Sequence, residues 1–176
     1  EGPYGTFSQH LDDSLPVFFQ TLQDNRADYR VAFFWSSDGT VDGSVPYLDD
    51  TYSPEESRQV VLDAIAAGGN AGDNDRNFTS LMNAIEEQSN WLFEDDNWTK
   101  SKLSLVAINR DVEQSGGHYT QYVEQAQSYK EDPEKVLFHA IAGPYPSGCG
   151  VAEPFQGYKE AVDETGGVFL TICESD

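Results

Sequence analysis

The chain has 176 residues, with 31 Asp and Glu against 10 Lys and Arg, a formal net charge of −21. Such a surface repels nucleic acid and anionic membranes, because phosphate binding needs clustered Lys and Arg. Aromatic residues at 12% exclude a disordered acidic tail, and no apolar run reaches the roughly 18 residues that suggest a membrane span. The length suits one domain, and the charge leaves three readings: a solubility surface, adaptation to a saline medium, or attraction of divalent cations. No basic-then-apolar leader opens the chain, so any signal peptide is expected to have been removed or to lie upstream.

The first expected element is a helix, "FSQHLDDSLPVFFQTLQ", with Leu11, Leu15, Phe18, Phe19 and Leu22 at helical spacing. "YRVAFFW" (29–35) is β-branched and aromatic and predicts a buried strand. "TVDGSVPYL" predicts a broken hairpin or short edge strand, since Pro46 cannot serve a central ladder. In "SPEESRQVVLDAIAAGG", Ser53 is the N-cap, Pro54 the first helical residue, and glycine the stop. "NFTSLMNAIEEQSNWLF" predicts an amphipathic helix. Then follow a strand at 102–108, the helix "YTQYVEQAQSYK", a strand at 135–143, the helix "EPFQGYKEAVDETGG" and a last strand, "VFLTIC".

Strands separated by helices predict a doubly wound, mostly parallel α/β sheet within a single domain, 1–176. Such sheets bind ligands in the loops after their strands. Here those are "SSDGTVDG", "NRDVEQSGGH", "GPYPSGCG" and "ESD". The ligand-face candidates are Ser37, Asp38, Asn109, Arg110 and Glu113. A doubly wound domain normally begins with a strand, whereas this chain begins with a helix.

No GxSxG, P-loop, GxGxxG or HExxH pattern occurs, so the usual hydrolase, nucleotide and zinc-protease signatures are absent. His10, His118 and His139 have no ligand spacing. His139, inside an apolar strand, reads as a satisfied core residue, and nothing local supports a Cys149–His139 nucleophile pair. "GDNDRN" places Asp73, Asp75 and Asn77 at alternate positions, which suits either a calcium-wrapping loop or a solvated turn with a helix cap. Asp111 and Glu113, just past a strand end, suit either a hard cation or an ordinary loop. Asn77-Phe-Thr79 and Asn97-Trp-Thr99 match the glycosylation sequon, a pattern common by chance.

The ordered set "YRVAFFWSSDG", "KLSLVAINRDVEQSGGHYTQYV", "VLFHAIAGPYPSGCG" and "ETGGVFLTICES" resembles a von Willebrand factor A domain, most closely the secreted or lipid-anchored bacterial subgroup. The resemblance spans nearly the whole chain and is most specific in its C-terminal third. It implies that the strands ending near Cys149 and Cys173 are neighbours and that these cysteines form a disulfide. A bridge closing about 25 residues contributes roughly 3 kcal/mol and belongs to an oxidising compartment: extracellular, cell-surface or periplasmic.

The resemblance further implies a protein ligand bound through a divalent metal such as Mg or Ca. The family holds that metal with an Asp-x-Ser-x-Ser after the first strand, a middle-loop Thr and an Asp after the fourth strand. The chain departs from all three: the first motif is absent, "GGNAGDNDRN" has no Thr, and Asn109-Arg110 stand where the Asp is expected, with Asp111 displaced. Asp73, Asp75 and Asp111 are the metal-ligand candidates that remain, and Arg110 beside the position opposes a cation. The expectation is a non-catalytic protein-binding or assembly module whose missing central strand comes from another segment, a donor strand or a neighbouring subunit. Metal-dependent adhesion is the first alternative and a hydrolase-type enzyme the second.

Overall fold

The computed structural model describes residues 3–34, 44–68, 76–94 and 98–173, with the backbone alone for 3–11 and 67–68. These residues group into two units, one built from 3–34 and 44–68, the other from 76–94 and 98–173.

In the first unit, α1 (Pro3–Asp24) packs against α2 (Pro54–Gly68). The helical spacing buries Leu15 and Phe19 with Leu48 and Val61, whereas Phe18, on the same predicted stripe, is exposed. The start of α2 is a reciprocal cap. The Glu56 backbone N–H donates to Ser53 Oγ (3.3 Å), and the Ser53 N–H donates back to Glu56 Oε2 (2.8 Å). The Ser53 side-chain bond, followed by its backbone bond, holds the Glu56 carboxyl below its ordinary pKa. Arg58 of α2 donates to Asp12 of α1, an ion pair between the helices that raises the Arg58 pKa.

The run 29–34, expected as a strand of the parallel sheet, is not one. Val31 forms a single antiparallel bridge with Leu48, through Val31 N–H to Leu48 C=O (2.9 Å) and its reciprocal (2.8 Å). Residues 31–34 are only partly buried. Tyr29, Val31 and Phe33 pack instead against the cluster of Leu15, Phe19, Leu48 and Val61. A strand-forming composition needs a partner ladder, and this unit offers one bridge.

In the second unit, α3 (Asn77–Glu87) and α4 (Ser89–Leu92) replace one predicted helix, with the break at Gln88. Then come β1 (Leu103–Ile108), α5 (Tyr119–Ser128), a single 3-10 turn (Pro133–Lys135), β2 (Val136–Ala142), α6 (Tyr158–Thr165) and β3 (Phe169–Thr171). The strands pair in parallel in the order β1-β2-β3, with Ile108 opposite Ile141 and Ile141 opposite Leu170. This is an α/β arrangement with a small three-stranded parallel sheet flanked by helices, compatible with a Rossmann-like fold.

Among the described residues, one sheet face is packed and the other is only partly covered. Leu103, Leu105 and Ala107 of β1, with Val136, Phe138 and Ala140 of β2, form a core with Phe78, Val123, Tyr158 and Val162 from α3, α5 and α6. The opposite face carries Val106 (48% exposed), Ile108 (39%) and Leu170 (54%). Strands buried on both faces were expected; instead β1 alternates residue by residue between buried and exposed, because the described helices of this core line only one face. Parallel sheets are ordinarily covered on both, so this apolar row is a surface without a described cover.

The backbone of β1 is equally one-sided. The N–H of Asn109, directly after β1, donates to Ile141 C=O on β2. Strand alternation then aims Ala107 and Leu105 at β2, and Ser104, Val106 and Ile108 away from it. Among the described residues β2 is the only strand beside β1. Ser104, Val106 and Ile108 therefore form an outer edge.

Candidate ligand-binding face at the strand ends

The loop after β1 folds back on itself. Asn109 Oδ1 accepts from the backbone N–H groups of Arg110 (2.8 Å) and Asp111 (3.1 Å), an Asx turn. Arg110 Nε lies 3.8 Å from Asp111 Oδ2, so this candidate metal ligand already has a cationic neighbour. The Glu153 N–H donates to Arg110 C=O at 2.7 Å, tying the loop after β2 to the loop after β1. The disulfide between Cys149 and Cys173, 24 residues apart with Cα atoms separated by 6.2 Å, ties the loop after β2 to the end of β3. All three strand-end segments are thereby linked.

Glu113 lies at the centre of the first loop. Its Oε1 accepts from the Ser115 N–H (2.7 Å), and Ser115 Oγ accepts from the Thr79 N–H in the first turn of α3 (2.9 Å). Its other oxygen, Oε2, is buried and without a hydrogen-bond partner, as is Asn77 Nδ2 at the start of α3. An orphaned buried polar atom costs on the order of 1–3 kcal/mol, more when charged. The burial of Asn77 Nδ2 also argues against glycosylation there in the folded chain; Asn97, of the other sequon, lies outside the described residues.

Glu113 forms part of the wall of a cavity of about 250 Å³ shared with Phe78, Gly116, Gly117, Tyr119 and Gly157. Gly116 and Gly117 hold φ of 78° and 72°, the left-handed region that favours glycine, and so turn the loop around the opening. The Tyr122 hydroxyl donates to Gly116 C=O (2.8 Å) and fixes that turn. Tyr119 is bonded to Glu164. That bond, then burial, then the charges of Glu164 and Glu160 raise its pKa. Behind the wall, Tyr158 is fully buried and stacks on Phe78 and Phe155. Burial, reinforced by the Glu113 charge, pushes its phenol well above the ordinary value.

Of the sequence-predicted residues, the structure brings Asn109, Arg110, Asp111 and Glu113 into one loop at the carboxyl end of β1 and joins Cys149 to Cys173. Ser37, Asp38, Asp73 and Asp75 lie outside the described residues. Among the described residues no group of three or more His, Cys, Asp or Glu side chains is placed to hold a metal ion. His139 Nδ1 accepts from the Val168 N–H at 3.0 Å on the half-buried side of the sheet, and burial lowers its pKa. It is a satisfied strand residue, and the bridged Cys149 offers no thiolate. Phe78 and Gly157 escaped the sequence reading because they reach the site from 35 or more residues along the chain from Glu113, and Tyr119, two residues past Gly117, carried no signal of its own. The "SGG" turn at 115–117 was the one local sign of a shaped loop.

No family model, curated protein or solved structure matches the chain. Among the described residues no helix is long and apolar enough to cross a membrane. A disulfide is compatible with an extracellular location.

Proposed function

We propose that the chain is a non-catalytic protein-binding or assembly module of von Willebrand factor A type, acting outside the cytoplasm. Its sheet accepts a strand from another segment or chain along the outer edge of β1. The observation that carries this reading is the coincidence, on β1, of an outward row of backbone groups with an apolar side-chain face at Val106 and Ile108. Strand addition satisfies the backbone groups and extends the face at once. Further support comes from the sequential parallel order of β1, β2 and β3 with helices between them, and from the cysteine pair at the strand ends. These are the features that the resemblance implies for the C-terminal half of such a domain.

A peptide display screen tests the reading. Tethered segments of about seven residues are selected for binding to the chain, and the winners are measured against Val106→Pro. Proline at this position removes an N–H that β2 does not use, so the fold is expected to persist while strand pairing on the outer side fails. Winners with alternating apolar residues that lose binding to Val106→Pro are the expected result. Winners indifferent to Val106→Pro, or none at all, would contradict strand addition.

A further inference from the structure

We propose that the strand added along β1 is acidic at one end: an extended, alternately apolar segment whose carboxylates meet Lys100 and Lys102. This rests on reading the outer edge of β1 as a strand acceptor, and it names the chemistry of the strand accepted.

The charge around β1 is opposite in sign to that of the chain. Residues 98–110 hold three of the ten Lys and Arg, namely Lys100, Lys102 and Arg110, and none of the 31 Asp and Glu. Lys100 and Lys102 are exposed and form no ion pair among the described residues. Lys102 directly precedes β1, and strand alternation places it on the open face with Ser104, Val106 and Ile108. The approach to β1 is held in place. Buried Lys130 Nζ donates to Trp98 C=O (2.6 Å) and Ser101 Oγ (3.1 Å), and Lys135 Nζ donates to Lys100 C=O. Glu131, Asp132 and Glu134 belong to the segment that enters the sheet with β2, on the inner side of β1. At the far end, Arg110 already has Asp111 within 3.8 Å. The positive charge left without a carboxylate partner among the described residues therefore lies at the amino-terminal end of the edge.

These bases also decide which strand fits. A second copy of β1, paired antiparallel about Val106, would set Lys102 of one copy against Arg110 of the other; paired in parallel, Lys102 would face Lys102. Like charges opposite one another destabilise a ladder, and lysines flanking an edge guard it against self-pairing. A strand with Asp or Glu at that end reverses the sign of the interaction, while its apolar residues extend the face of Val106 and Ile108. The net charge of −21 opposes an acidic strand at long range. That repulsion is screened over about 8 Å at physiological ionic strength, so the lysines in contact with the added strand decide.

The test titrates isotope-labelled protein with blocked peptides of about seven residues in which Val and Thr alternate. The peptides carry a pair of Glu, Gln or Lys at the amino or the carboxyl end, and the amide shifts of Ser104, Val106 and Ile108 are the readout. One Glu peptide is expected to bind about three- to tenfold tighter than its Gln counterpart, and the matching Lys peptide more weakly than Gln. The Glu advantage should shrink as NaCl rises and vanish in the double variant Lys100→Gln, Lys102→Gln. The peptide comparison needs no variant, so a misfolded double variant leaves the test intact. Equal affinity of all three peptides at these amides, or tightest binding by a Lys peptide, would overturn the proposal and leave strand addition standing. A Glu advantage that survives the double variant would place the acid contact elsewhere and overturn it too. No saturable shift with any peptide would overturn strand addition and this proposal with it. Concentration-dependent shifts of the same amides without peptide would make a second copy of the chain the occupant, and would overturn an acidic one.

Discussion

Replacing Tyr158 with alanine is expected to cost about 3–5 kcal/mol of stability, the largest single-residue effect foreseen for this chain. Its ring is fully buried at the centre of the second unit's core. It stacks on Phe78 (4.8 Å between centroids) and on Phe155 (5.0 Å), and meets Phe138 edge to face (5.7 Å). Removing it opens a cavity between α3, α6 and the packed face of the sheet, with little freedom to collapse because the neighbours are rings. Tyr158→Phe separates the packing contribution from the polar one. It loses only the hydroxyl bond to Leu105 C=O (3.3 Å), and is expected to cost about 0.5–1.5 kcal/mol. Urea unfolding of both variants, followed by near-UV signals, measures the difference. A Tyr158→Ala loss below about 1 kcal/mol would mean that the aromatic cluster is not packed as described.

Opening the Cys149–Cys173 bridge is expected to lower stability by about 3 kcal/mol. The bridge closes a loop of 24 residues in sequence separation, and in the chain-entropy account its contribution comes from restricting the unfolded chain. The double variant Cys149→Ser, Cys173→Ser should therefore keep the folded spectrum while its midpoint of denaturation falls. A local consequence follows as well. The loop between β2 and α6 supplies Gly157 to the cavity wall, and the bridge holds that loop to the end of β3. Amide exchange within 143–157 should rise in the serine variant more than exchange in β2 does. Alkylation of both cysteines without any reductant would contradict the bridge itself.

The elements that the sequence made legible are those whose partners lie close along the chain or whose pattern is self-contained. Ser53, Pro54 and Glu56 announce the start of α2 because a cap is a local hydrogen-bond problem, and the bonds are the expected ones. The apolar runs at 102–108 and 135–143 became β1 and β2, and 168–173 became the shorter β3. The composition of 29–35 misled because Tyr, Val and Phe suit a strand only where a ladder exists. Val31 instead meets one antiparallel residue, Leu48. Likewise a doubly wound sheet implies helices over both faces of the strand at 102–108, yet Val106 and Ile108 are exposed. Composition reports what a face could bury, and topology decides whether anything covers it. At the site, the carboxylates were visible as residues past a strand end, but their roles were not. Asp111 sits beside Arg110, while Glu113 accepts from the Ser115 N–H, and Ser115 Oγ in turn accepts from Thr79 of α3, 36 residues away. Ser37, Asp38, Asp73 and Asp75 lie outside the described residues.

Amide hydrogen exchange on the monomeric chain reads the outer edge of β1 residue by residue. The ladder to β2 protects Leu105, Ala107 and Asn109, whose N–H groups face it, while Ser104, Val106 and Ile108 face outward. Alternation is expected: slow exchange at 105, 107 and 109, and exchange close to that of an unstructured chain at 104, 106 and 108. Uniform slow exchange across all of Leu103–Ile108, unchanged on dilution, would mean that the chain already covers this edge itself and that β1 has no place for an added strand.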